Sequence, residues 1–298
     1  MLESHGYAVT AHPDAPLAPG STDIVWVRGS LNWYPRTLAS LSEMPAAKRP
    51  LVIAWHTEPL PLPATAGVRT PLPNARELAK ILLRDHRATD MRTNARRIRQ
   101  LRRSGIPDVL VVSARSRQTW LAEQGIDSHF VPVGYYEQLG RDLGLERDID
   151  AIFVGAMNDP GHKRAAKKLR QAGLNLVSEG AWSRENGLWG SRRTETINRA
   201  CTFLALQRHP GKLSGVRMLL GMANRSLVIA EPIFDPAPYV PGTHFVSAGL
   251  DDMPDVVRHY LSHEGERAKI ADAGHQFVTT ELRLEQSISR ILGLAGLS

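Results

Sequence analysis

Short apolar runs alternate with stretches of helical period along this chain of 298 residues. Runs of roughly 4–8 apolar, β-branched residues bounded by Gly, Pro or Asp read as strands. They fall at Tyr7–Ala11, Asp23–Val27, Pro50–Trp55, Asp108–Val112 and, more weakly, His129–Val133. A long helical stretch is predicted from Asn74 to Arg103, with Pro71 and Pro73 ahead of it and Gly105-Ile106-Pro107 behind. A second helix, Ser116–Gln124, is closed by Gly125. Residues 135–150 hold charges without a period and read as a linker. The alternation then restarts, with strands at Ile149–Gly155, Leu174–Val177, Thr202–Leu206, Ser226–Ala230 and Thr243–Ser247. Helices are predicted at His162–Ala172, Arg193–Arg199, Gly215–Ala223, Asp251–Ser262, Glu264–Ala273 and Gln276–Leu294. Strand–helix alternation of this kind means βαβ units and parallel sheets. The predicted class is α/β, with two domains of similar size over residues 1–147 and 148–298. The last helix is expected to pack back toward the first domain. A doubly wound domain opens with a strand, a Gly-rich turn and a helix. Here Met1–Tyr7 resembles the end of that helix, so the first strand is expected to lie upstream or to have been trimmed.

Composition narrows the class. Length divided by ~150 agrees with two domains. A hydrophobic fraction of 42% excludes a mostly disordered chain. No apolar run approaches the ~18 residues that a helical membrane span needs. The segment Met1–Thr10 has neither a basic start nor an apolar centre, so it does not read as a signal peptide. Cys201 is the single cysteine, which excludes an internal disulfide and fits a reducing, cytoplasmic setting. The formal net charge is +7, and it is uneven. From Arg76 to Arg103 there are nine Arg and one Lys against Glu77, Asp85 and Asp90, a surplus equal to that of the whole chain. The stretch reads as a solvated helix face, or as a surface for an anionic membrane or a phosphate-bearing ligand. Nucleic acid is disfavoured, because basic and aromatic residues do not interleave there.

Ligands of open α/β sheets bind outside the carboxyl ends of the strands, so the residues after each predicted strand carry the candidate chemistry. Gly155-Ala156-Met157-Asn158 offers a small residue and free amides for a phosphate, or a plain tight turn. Gln207 to Arg217 contains Arg208, His209, Lys212 and Arg217 with two Gly, ahead of a predicted helix. Point charges, a guanidinium fork and a helix terminus suit a diphosphate. The proline-rich loop after Ala230 carries Glu231 and Asp235, carboxylates suited to sugar hydroxyls. In the first domain, Trp55-His56-Thr57-Glu58-Pro59 supplies His56 as a candidate general base and Glu58 as its orienting partner or substitute. No CxxC, HExxH, GxxxxGK[ST] or GxSxG occurs, and His209 has no ligand partner three or four residues away, so no metal site is expected.

The run from Gly215 to Pro232 resembles the donor-site helix and strand of GT-B glycosyltransferases, closest to the CgeB-like, glycosyl transferases group 1-like proteins. Asp235–Val246 is similar to that group's "dP.pfvpG.hfv" segment, and Ile270–Gly274 to its "R..IA..G" helix. The resemblance covers about Asp150 to Glu281. In the first domain only strand order and Trp55–Glu58 match. It implies two Rossmann-like domains facing a cleft, with a nucleotide-sugar donor in the second and a hydroxyl acceptor, of unknown identity, in the first. It also implies no cofactor and no metal, with Arg208, Lys212 and Arg217 stabilising the leaving diphosphate. Glu231 would then face the ribose or the donor sugar. Retaining families carry a Glu pair in this region. Here Lys212 and Leu220 occupy those positions, which weakens a retaining mechanism. The expected function is metal-independent sugar transfer from a nucleoside diphosphate. The alternatives are a nucleotide-sugar epimerase and a degenerate nucleotide-binding or partner protein. The basic 76–103 stretch would dock such an enzyme at the inner face of a membrane.

Overall fold

The computed structural model describes residues 2–68, 75–83, 91–157, 159–179 and 187–297. They form two compact units, one of residues 1–132 with 287–298 and one of 133–286.

The first unit holds β1 (Ile24–Arg28), α1 (Pro35–Glu43), β2 (Leu51–His56), α2 (Ala75–Leu82), α3 (Met91–Arg103), β3 (Val109–Val112), α4 (Arg115–Glu123) and β4 (His129–Phe130). The strands are parallel in the order β1-β2-β3-β4, with Trp26 beside Ile53 and Ile53 beside Val109. One sheet face presents Val27, Val52, Ala54, Leu110 and Val112. These pack with Leu38 and Leu41 of α1, Ile98 and Leu101 of α3, and Trp120 and Leu121 of α4. Ile53, Trp55 and Val111 of the alternating positions are buried too. Burial on both faces is why these strands read as unbroken apolar runs.

Residues 7–11, expected as a strand, join no sheet. They are mostly exposed, with Val9 at 48%, and prolines at 13, 16 and 19 break up the segment beyond them. β-propensity alone does not hold a strand that has no neighbour to pack against. Pro71, Pro73, Asn158 and residues 84–90, the middle of the expected 74–103 helix, lie outside the described residues.

The second unit holds β5 (Ile149–Val154), α5 (Pro160–Gln171), β6 (Leu176–Glu179), α6 (Gly190–Asn198), β7 (Ala200–Ala205), α7 (Gly215–Ala223), β8 (Leu227–Ala230), β9 (Val246–Ser247), α8 (Met253–Ser262) and α9 (Glu264–Gln276). All strand pairs are parallel, in the order β6-β5-β7-β8-β9. The chain reverses its direction of winding between β5 and β7. In a doubly wound sheet that reversal opens a crevice at the carboxyl ends of the two strands.

Residues 135–148 are not a loose linker. Asn198 Nδ2 donates to the Arg141 carbonyl at 2.9 Å, and its Oδ1 accepts from Leu143 N at 2.7 Å. Asn224 Nδ2 donates to the Leu139 carbonyl, and the Arg147 guanidinium donates to the carbonyls of Ala200, Asn224 and Arg225. The expected Gln276–Leu294 helix is also broken. A π-turn spans Phe277–Glu281, and α10 (Leu284–Leu294) starts afresh. Between them Tyr135 N donates to Leu282 O at 2.7 Å, and Leu284 N donates to Tyr135 O at 2.8 Å. Those strand-like bonds take the groups a helix would use.

Candidate functional site

The loops that meet at the β5/β7 reversal come from four elements. Gly155 follows β5, Leu206–Ser214 follow β7, Glu231 follows β8, and Asp159 caps α5. Asp159 Oδ1 accepts from Gly161 N at 2.8 Å with Pro160 in the first turn. Aspartate ahead of proline is a strong helix start.

Arg217 sits at the centre. Its position in the first turn of α7 points it back along the helix toward the β7 loop. Its guanidinium lies 5.2 Å from the centroid of Phe153 and donates to the Leu206 carbonyl. Burial, with Arg208 nearby, lowers its pKa to about 10, against the opposing pull of Glu231 and Asp159. It stays charged at neutral pH. Gly155 is required by this packing. A Cβ there would stand 2.7 Å from Phe153 Cζ and 3.1 Å from Arg217 Nη2.

Glu231 Oε1 accepts from Gln207 N at 2.7 Å. Burial is the largest influence on Glu231 and raises its pKa, with Asp159 adding to the shift and Arg217 opposing it. Gln207 Nε2 donates to the carbonyls of Glu231 and Pro232, at 3.0 and 3.2 Å, and its Oε1 is buried without a partner. The two loops are tied together where Phe234 N donates to Gly211 O at 2.9 Å. Arg208 is exposed, whereas His209 and Lys212 are half-buried in the same loop. Gly155, Arg208, Arg217 and Glu231 thus converge. Asp159, Gln207, Phe153 and His162 join them without having been singled out from sequence. Only Asp159 had a readable signal, its place before Pro160.

In the first unit His56 ends β2 and is fully buried. Neither ring nitrogen has a hydrogen-bond partner, although the backbones of Gly29 and Glu58 lie close by. Burial, then Arg117, lowers its pKa to about 3, so the ring is neutral. Glu58 is half-exposed, and burial raises its pKa against the pull of Arg117. The Arg117 guanidinium donates to the Thr57 carbonyl at 2.8 Å and to Ser113 Oγ at 2.6 Å. Sequence reasoning passed over Arg117 because an arginine in a helix reads as a solvated one.

A concavity of about 950 Å³, lined by residues that include Leu143, Leu145, Asn175, Arg192 and Arg199, opens at the amino ends of β5 and β7. That is the wrong end of the sheet for a ligand of this fold. Among the described residues no three His, Cys, Asp or Glu side chains are grouped as metal ligands.

Residues 162–293 match the family described as "Glycosyl transferase-like". Across both units the chain superposes on solved glycosyltransferases of the GT-B fold. HepE of Anabaena, solved with UDP and glucose, aligns over 92% of this chain and 78% of its own, with TM-score 0.62 at 9% identity. The chain has the GT-B fold of these glycosyltransferases. Sucrose-phosphate synthase from Thermosynechococcus elongatus aligns over 91% of this chain and 72% of its own, with TM-score 0.60 at 12% identity. WaaG, a glycosyltransferase involved in lipopolysaccharide biosynthesis, aligns over 89% and 82%, with TM-score 0.57 at 12% identity. No curated protein matches the chain in sequence. The glycosyl transferase-like match begins at His162 and takes in Arg208, Lys212, Arg217 and Glu231, so most of the converging side chains fall within it.

Proposed function

We propose that the chain transfers a sugar from a nucleoside diphosphate sugar to an acceptor hydroxyl, without a metal ion. The observation that carries this reading is Arg217, a buried guanidinium held beside Arg208 at the crevice of a doubly wound sheet. Neighbouring folds solved with UDP and with UDP-glucose support the choice of ligand. Arg208, Lys212 and Arg217 would carry the charge that builds on the leaving diphosphate, the task a divalent cation otherwise performs. The half-exposed Glu58 is assigned as the base that takes the acceptor proton, because fully buried His56 presents no atom to a substrate. Thermal shift against a panel of nucleoside diphosphate sugars identifies the donor, since a ligand of the folded state raises its stability. Arg217→Ala is expected to weaken that donor's binding at least ~30-fold, and the exposed Arg208→Ala by about tenfold, with turnover of the unaltered chain unchanged in EDTA. Unaltered binding in both variants overturns the site, and loss of turnover in EDTA overturns metal independence.

The reading extends to a membrane. Among the described residues no helix is long and apolar enough to cross one. On α3, Arg92, Arg96, Arg99 and Arg103 are exposed at helical spacing, while Met91, Asn94, Ala95, Ile98 and Leu101 are buried. Leu82 and Leu83, at the end of α2, are about four-fifths exposed, at 81% and 80%. We assign this arginine stripe, together with exposed Leu82 and Leu83, to peripheral contact with an anionic leaflet. The lone, buried Cys201 fits the cytoplasmic side.

A further inference from the structure

His162 belongs to the crevice, but the donor-site reading gives it no task. It is 1% exposed. Its Nδ1 lies 3.0 Å from the Ala156 carbonyl oxygen. A carbonyl oxygen only accepts, so Nδ1 carries the hydrogen and Nε2 keeps a bare lone pair. Nε2 is buried and has no hydrogen-bond partner. An unpaired buried acceptor is costly to the fold, and its persistence calls for a reason.

Its neighbours supply one. The ring packs on Phe153, centroids 4.8 Å apart, and the same phenyl ring carries the Arg217 guanidinium. Charged groups face His162 from its own helix and from two elements packed against it. Asp159, at the start of α5, favours a protonated ring. Arg217 of α7 and Arg208 of the β7 loop oppose it. Glu231, after β8, faces Asp159 and Arg217 in turn. Burial is the largest influence, and the ring is held below its ordinary pKa and neutral. A diphosphate seated on Arg208 and Arg217 would cancel the two charges that repel a proton, and would add negative charge of its own.

We propose that His162 takes up a proton at Nε2 when a nucleoside diphosphate sugar binds, so that the donor completes the positive charge of its own site. The proton comes from bulk buffer, the N–H bond forms at Nε2, and the proton returns to solvent when the diphosphate leaves. No bond of the ligand changes. His162 acts through its charge, as a positioning residue beside Arg217. The proposal rests on the donor-site reading above.

The test is calorimetric titration of the full chain with UDP-glucose in two buffers of unlike ionisation enthalpy. UDP-glucose itself has no group that titrates near neutrality, so net uptake reports on the protein. The expected result is uptake of about half to one proton per bound UDP-glucose near pH 7, with Kd rising by up to about tenfold per pH unit. His162→Asn keeps a donor for the Ala156 carbonyl while deleting Nε2. In that variant uptake should vanish and Kd should no longer depend on pH, with the melting temperature retained. If the variant does not fold, the imidazole resonances of the unaltered chain decide: they must move to the imidazolium position on adding UDP-glucose at pH 7. Binding without uptake, or equal uptake in His162→Asn, overturns the proposal and leaves the donor site standing. No binding of UDP-glucose, or binding indifferent to Arg217→Ala, overturns the donor-site reading and this proposal with it.

Discussion

Glu58 and His56 stand two residues apart, and burial drives them in opposite chemical directions. It raises the Glu58 carboxyl above its ordinary value, against the pull of Arg117, and it lowers the imidazole to about 3. A group is useful as a base when its pKa lies near the working pH and it reaches the substrate. The proposed base is Glu58, the more exposed of the two. Glu58→Gln is therefore expected to cut turnover by ~10²–10⁴-fold. The base works deprotonated, so activity of the unaltered chain should rise as pH climbs through the raised Glu58 value, and that limb should disappear in the variant. A limb that survives Glu58→Gln but is lost in His56→Asn would move the role to His56. Both side chains were legible in the sequence as a strand-end pair. Their difference in burial was not, because it depends on how deep each lies and on Arg117, which arrives from α4.

At the scale of elements, the instructive place is where the expected closing helix breaks. Gly134 lets the backbone of Arg283 pass directly over it: a Cβ there would lie 2.3 Å from the Arg283 carbonyl carbon. The obstacle is backbone on the other chain segment, which cannot rotate aside. Gly134→Ala should destabilise the second unit by ~1–3 kcal/mol or more, seen as a lowered calorimetric melting temperature. Gly265→Ala, in the first turn of α9 with nothing within 4 Å, is the contrast. It should be neutral or slightly stabilising, because alanine favours a helix by up to ~1 kcal/mol over glycine. Equal losses in the two variants would refute the close-approach account. Strands β2, β3, β5, β7 and β8 were readable because burial on both faces writes an unbroken apolar run. The break before α10 was not, because Tyr135 imposes it from far upstream. The holding of residues 135–148 was hidden for the same reason, since Asn198, Asn224 and Arg147 act at long range.

At the scale of the whole molecule, part of the surplus of seven positive charges is the row of exposed arginines on α3 that the proposed function assigns to a membrane. The stripe on α3 is tested by co-sedimentation with vesicles containing anionic lipid. Each exposed arginine replaced by Glu among Arg92, Arg96 and Arg103 should cost at least ~1 kcal/mol of binding, roughly fivefold, and added salt should weaken all of it. Equal binding to neutral vesicles, or indifference to salt, would discard the membrane assignment. The two parallel sheets were visible in the alternation of runs. What no local pattern could convey is that the first unit is discontinuous. Tyr7 Oη donates to the Leu297 carbonyl, and Ser287 Oγ to the Pro132 carbonyl, so the first unit contains the last residues of the chain. Domains ordinarily fold in the order in which the ribosome releases them. Here the first unit cannot close on its own first 132 residues alone, because residues 287–298 follow the whole of the second unit along the chain, so its folding has to wait for residues made after its neighbour.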